Sequence, residues 1–146
     1  MTSSELTELI YTNLKTKFSN IKWLLYPHAR KIAHQDCPFA LISLDSMTHT
    51  KKMSDLSNVM FFVSLTLVYS RADEKEDNFQ ANLDMTNVAL EIGTFLESNF
   101  LANSSIKTIN VTSSQRDSLS PSLDGFIAWE IELQISTTFG DSVYAQ

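Results

Sequence analysis

The stretch Asn58-Val-Met-Phe-Phe-Val-Ser-Leu-Thr-Leu-Val-Tyr-Ser-Arg71 decides the fold class. Side chains alternate between the two faces of a strand. Phe61, Val63, Leu65, Leu67 and Tyr69 therefore share one side, and Met60, Phe62, Ser64, Thr66 and Val68 the other. The first set is wholly apolar and the second mixed, as in a strand with only one face in a core. The last apolar run, Phe126 to Phe139, repeats the pattern. There Ile127, Trp129, Ile131, Leu133 and Ile135 alternate with Ala128, Glu130, Glu132, Gln134 and Ser136. That alternation predicts a half-buried antiparallel strand with one solvated face.

Outward from these strands the pattern changes period. After the charged turn Arg71 to Asp77, residues 78 to 100 read as a long helix. Its apolar face is traced by Phe79, Leu83, Thr86, Leu90, Gly93, Leu96 and Phe100, and widened by Met85, Val88, Ala89 and Ile92. So broad a stripe suits a helix lying across a sheet, with Gly93 permitting close approach. Residues 3 to 19 predict an amphipathic helix on Leu6, Leu9, Ile10, Leu14 and Phe18, opened by Thr2 and Glu5 at capping-box spacing. A short extended run, Ile21 to Tyr26, stops at Pro27, and residues 28 to 36 form a polar loop. Pro38 opens a strand over 39 to 45, a position where a fixed φ and a missing N–H do no harm. Residues 46 to 58 are polar and are expected to form a long connection, as are 114 to 123 after a strand at 105 to 113. The expectation is one domain over residues 1–146, with a loose tail at 140–146. Its fold class is α+β, an antiparallel sheet with an N-terminal helix and one long helix packed on one face.

Composition narrows the function. The 146 residues carry 11 Lys and Arg against 17 Asp and Glu, a net charge of −6. An acidic balance argues against general nucleic-acid binding, which needs clustered cations to neutralise phosphates. With 43% hydrophobic and 19% charged residues the chain is no disordered segment. Three glycines leave little material for phosphate-cradling loops. A lone cysteine, Cys37, forms no internal disulfide. The polar, acidic start Met-Thr-Ser-Ser-Glu is followed by no apolar signal region, and the apolar run Val59 to Tyr69 is too short for a membrane helix. A cytoplasmic protein without membrane contact is expected.

Candidate chemistry is sparse. His28, His34, Asp36 and Cys37 are the only cluster resembling a metal site. Their spacing matches no zinc motif, and a loop holding two histidines by chance accounts for it. Cys37 as a nucleophile needs a base such as His34 and an oxyanion hole; beside Pro38 it reads better as a structural thiol. Asp73, Glu74, Glu76 and Asp77 suit the positive end of the following helix. Glu130 and Glu132, two apart on a strand, point the same way. Such a pair serves acid–base chemistry or meets a basic patch across a subunit interface; without other site residues, the interface is expected. They share this surface with Ser64 and Thr66 of the other strand. Lys51 and Lys52, with His49, make a small basic loop tip. No catalytic residue, cofactor or metal is expected, and the chain does not read as an enzyme.

The order of elements resembles the tail-terminator family of long-tailed bacteriophages, the minor tail protein U type, and the related tail-completion proteins. The likeness rests on the N-terminal helix leading to a short strand and loop, the Pro-led strand Pro38-Phe39-Ala40-Leu41-Ile42, a long loop and the strand at 58 to 71, the acidic turn and the helix 78 to 100, and a final strand, Phe126 to Phe139, that carries Trp129 and closes the sheet. It covers nearly the whole chain. The resemblance implies a structural protein of virion or prophage, forming a ring, commonly a hexamer, that caps the tail tube and joins it to the head connector. Its partners would be copies of itself, the tail tube protein and the head–tail connector protein. It would be found in the bacterial host cytoplasm and then in the virion tail. Under this reading Lys51, Lys52, Met53, Glu130 and Glu132 are candidate subunit or tube contacts. The alternative is a small α+β ligand-binding or enzymatic domain whose apolar cavity is lined by Phe61, Leu65, Trp129 and Ile131, with Glu130 or His34 as polar group.

Both readings expect the fold to stand without a metal. A chelator should leave the melting temperature unchanged, and elemental analysis of the purified chain should find no stoichiometric metal.

Overall fold

The computed structural model describes residues 1–25, 38–51, 57–70, 75–99, 103–116 and 126–139. The elements run α1 (Ser3–Lys17), β1 (Lys22–Leu25), β2 (Phe39–Lys51), β3 (Ser57–Ser70), α2 (Lys75–Asn99), β4 (Ile106–Arg116) and β5 (Phe126–Phe139). The strands form one sheet in the order β1-β2-β3-β5-β4. The pairs β2–β3, β3–β5 and β4–β5 are antiparallel, whereas the short edge strand β1 runs parallel to β2. The α+β class holds, with a mixed sheet in place of a purely antiparallel one. The parallel edge begins where the Lys22 N–H donates to the Pro38 carbonyl at 3.1 Å.

Helix α1 starts as its capping box requires. The Glu5 N–H donates to Thr2 Oγ1 at 3.1 Å, and the Thr2 N–H to the Glu5 carboxylate at 3.3 Å. Two donors that the first helical turn leaves unpaired are thereby satisfied. Its far end has no glycine cap. Instead the buried Trp23 indole donates to the Phe18 carbonyl at 3.0 Å, tying the helix end to β1.

Both helices lie on one face of the sheet. Leu6, Ile10 and Leu14 of α1, with Met85, Ala89, Ile92 and Leu96 of α2, share a buried cluster with the apolar set of β3 and with Ile131, Leu133 and Ile135 of β5. Phe18 and Phe95 bridge the helix layer, edge to face with centroids 5.9 Å apart. The buried stripe of α2 is rotated from the expected one. Leu83 is 39% and Leu90 70% exposed, while Met85, Ala89, Ile92 and Leu96 turn inward. The sheet chooses the stripe 85/89/92/96 because that one is unbroken by polar residues.

Residues 46 to 51 and 57 to 58 do not form a loop. They extend β2 and β3 into a long hairpin paired from Phe39↔Val68 to Lys51↔Ser57. Residues 46 to 49 are exposed although paired in the ladder, a solvated strand surface that composition does not distinguish from a loop. Likewise β4 runs on through Arg116, past the expected end at 113. Register shifts at Leu44/Ser46, Ile106/Thr108 and Val111/Ser113 bend the sheet, as bulges do.

Gly93 meets the sheet closely: a Cβ there would lie 3.2 Å from Val111 Cγ2. Gly93→Ala is expected to change stability by less than about 1 kcal/mol, helix propensity offsetting the crowding. Gly93→Leu should cost about 1–3 kcal/mol by overpacking. Urea unfolding measures both, and Val111→Ala should restore part of the loss in Gly93→Leu.

Candidate interaction surface

The face of the sheet opposite the helices carries the candidate contact residues Glu130 and Glu132. Register alone places them. Glu132 pairs with Ser64 on one side and Ser113 on the other; Glu130 pairs with Thr66 and Gln115. The four residues expected to share a surface therefore form two directly opposed cross-strand pairs. Ser64 is buried, Thr66 and Glu130 are half-buried, and Glu132 is exposed. Nearby, Ser43 Oγ donates to the Asp45 carboxylate at 2.8 Å beside the bulge of β2.

This row divides the face. Toward Pro38 lies a second apolar cluster of Phe39, Val68, Phe126 and Ala128, all buried, with Leu24 and Leu41 packed against it. The mixed composition of these strand faces gave no sign of a second core, since its members come from β2, β3 and β5 and meet only through register. Toward Lys51 and Ser57 the described residues of the face are neutral apart from Asp45, which lies in the bulge beside Ser46, the partner of Phe62. Phe62 and Met60 sit centrally and are partly exposed, flanked by Gln134, Ser136, Thr48 and Asn110. A charge-depleted patch with aromatic and methionine side chains at its centre has the composition of an interface core.

The expected contact residues are not all brought together. Lys51 is paired with Ser57 at the end of the hairpin, and Glu132 with Ser64. Seven positions along β3 separate these rows, roughly 23 Å at ~3.3 Å per residue. Lys52 and Met53 lie outside the described residues, as do His28, His34, Asp36, Cys37 and the carboxylates Asp73 and Glu74. Among the described residues no group of three or more His, Cys, Asp or Glu is placed to hold a metal. No helix among them is long and apolar enough to cross a membrane.

The helix-facing side holds the residues suggested for a ligand cavity. Phe61, Leu65 and Ile131 are buried in the main core. Trp129 is half-buried, and its indole donates to Ser114 Oγ at 2.8 Å across the β4–β5 pair. The buried Thr137 hydroxyl donates to the Val59 carbonyl at 3.1 Å, satisfying a polar group that sequence alternation alone would place in the core unpaired. On the outer side of the helix layer, Thr12, Asn13, Thr16 and Lys17 of α1 and Phe95 of α2 line a shallow depression. A second one lies beside α1, between Tyr11, Glu8, Leu25 and Leu44.

Sequence comparison adds no assignment: no family model matches the chain, and no curated protein matches it.

Tyr69, on the helix side of β3, is the clearest electrostatic marker. Burial raises its pKa above the ordinary 10.0, and the nearby charges of Asp84 and Glu91 act in the same direction. The folded state thus holds the phenol proton more tightly than the unfolded state. This contribution to stability is complete below pH 10.0 and is lost as pH rises from there through the raised folded-state value. Tyr69→Phe should show a shallower alkaline loss of stability than the parent chain, measured by urea unfolding at successive pH values above neutrality.

Proposed function

We propose that this chain is a structural protein of a long-tailed phage or prophage, of the tail-terminator or tail-completion type. In this role it forms a ring, hexameric in the commonest form, that caps the tail tube and meets the head connector. Such a protein assembles in the cytoplasm of the bacterial host and remains in the virion tail.

The observation that carries the reading is the helix-free face of the sheet. It combines a cross-strand acidic and hydroxyl row, Glu130/Thr66 and Glu132/Ser64, with a charge-poor field around Phe62 and Met60. That is chemistry for meeting protein: poor in charge and partly apolar. The element order on which the resemblance rests adds support in its helix, Pro-led strand, long strand, second helix and final strand, although a paired hairpin stands where the resemblance has a long loop and β5 lies inside the sheet instead of closing it. A ring needs the same contact repeated around an axis, so each copy must present two different complementary surfaces. A cap needs a third surface that accepts the tube but admits no further tube subunit. The hairpin that ends at Lys51 and Ser57 extends beyond the helices and is the element we assign to the tube.

Light scattering of the full chain, alone and mixed with the tube protein of the same particle, tests the proposal. The expected result is a closed oligomer in at least one condition. Added to polymerising tube protein, the chain should shorten the tubes seen by electron microscopy and leave a ring at one end. A chain that stays monomeric in both conditions and leaves tube length unchanged would overturn the reading.

A further inference from the structure

Resting on the ring reading, we infer that the copies join head to tail, the helix-free sheet face of one seating on the depression between the helices of the next. The two surfaces match in chemistry. The sheet face offers partly exposed Phe62 and Met60 in a charge-poor field, bounded by the exposed carboxylates of Glu132 and Asp45. The depression offers Phe95, partly buried, as an apolar floor, the neutral side chains of Thr12, Asn13 and Thr16, and the exposed ammonium of Lys17 at its rim. Its volume of about 410 Å³ has room for an aromatic side chain. Seating Phe62 against Phe95 brings Glu132 toward Lys17, an acid onto a base.

These surfaces cannot meet within one molecule, because the sheet separates them. One faces outward from the strands, and the other from the helices packed on the opposite side. Their complementarity is therefore satisfied only between copies, and a contact between two different patches is the heterologous kind that closes into a ring. The open half of the face covers four strands and about six residues of each, on the order of 400 Å² per copy, against ~800 Å² per partner in a standard interface. Each contact is accordingly small, and its charged rim makes it sensitive to salt.

Cross-linking between single-cysteine variants tests the arrangement, in a background where Cys37 is replaced by Ser. Asn110→Cys marks the sheet face and Thr16→Cys the helix depression; both positions are exposed. Under mild oxidation the mixture of the two variants should give a strong disulfide-linked dimer, and each variant alone little. In parallel, sedimentation at low salt should show association weakened roughly tenfold or more by Glu132→Lys or by Lys17→Glu, and recovered in the chain carrying both changes. Melting temperatures close to the parent's verify that the variants fold. Dimers of Asn110→Cys alone would overturn the inference in favour of a symmetric pair. An oligomer that forms but neither cross-links in the mixture nor responds to the charge changes would overturn this contact while leaving the ring reading standing. A chain monomeric at every concentration, with and without the tube protein, would overturn both.

Discussion

β3 lies at the centre of the sheet and pairs along its length with β2 on one side and β5 on the other. A slip of one residue in either register would turn Phe61, Val63, Leu65 and Leu67 away from the helices and bring Met60, Phe62, Ser64 and Thr66 under them. The first four are buried almost completely, so such a slip would expose most of the main core. Every other placement follows from this fixed register. It sets Glu132 opposite Ser64 and Glu130 opposite Thr66, joins Val68, Phe39 and Ala128 into the second cluster, and pairs Lys51 with Ser57. Registration of one apolar strand face thus determines both what is covered by helices and what is left to meet other molecules.

The two sides of the sheet solve different physical problems. On the helix side, apolar area is removed from water and the few polar groups are paired, as with the hydrogen bonds of Trp23 to Phe18 and of Thr137 to Val59. On the other side the end near Phe126 is buried, while the end toward Lys51 and Ser57 presents a charge-poor field around Phe62 and Met60. A solvated sheet face usually carries charges that discourage association. Here the described charges are few, Glu130 and Glu132 with Asp45 near them and Lys22 on the edge strand, and they would orient a partner without filling the contact with ions that must be desolvated.

Edge strands fit the same picture. β1 has four residues, and β4 carries two register shifts, with Lys107 and Thr112 at the irregular positions. Short or bulged edges resist continuation of the sheet by another strand. In the proposed ring, association would thereby be directed to faces, where side-chain chemistry decides the partner, and away from backbone pairing, which accepts partners indiscriminately.

Much of the fold was legible in the amino-acid sequence. Period-two alternation marked β3 and β5, and a capping-box spacing marked the start of α1. The spacing of Gly93 in an apolar helix anticipated its contact with Val111. The shared direction of Glu130 and Glu132 followed from strand geometry alone. Other features were decided only by tertiary structure. The polar residues 46 to 51 belong to β2 because β3 is there to pair with them, although their composition reads as loop. The stripe of α2 that turned inward was chosen by the sheet beneath it, leaving Leu90 outside. The parallel course of β1, the second apolar cluster and the depression between Lys17 and Phe95 depend on contacts distant in sequence. The reason is physical: alternation and capping are local, set by residues within one turn or one pleat, whereas register, parallel pairing and helix rotation are fixed by which surfaces exclude water together.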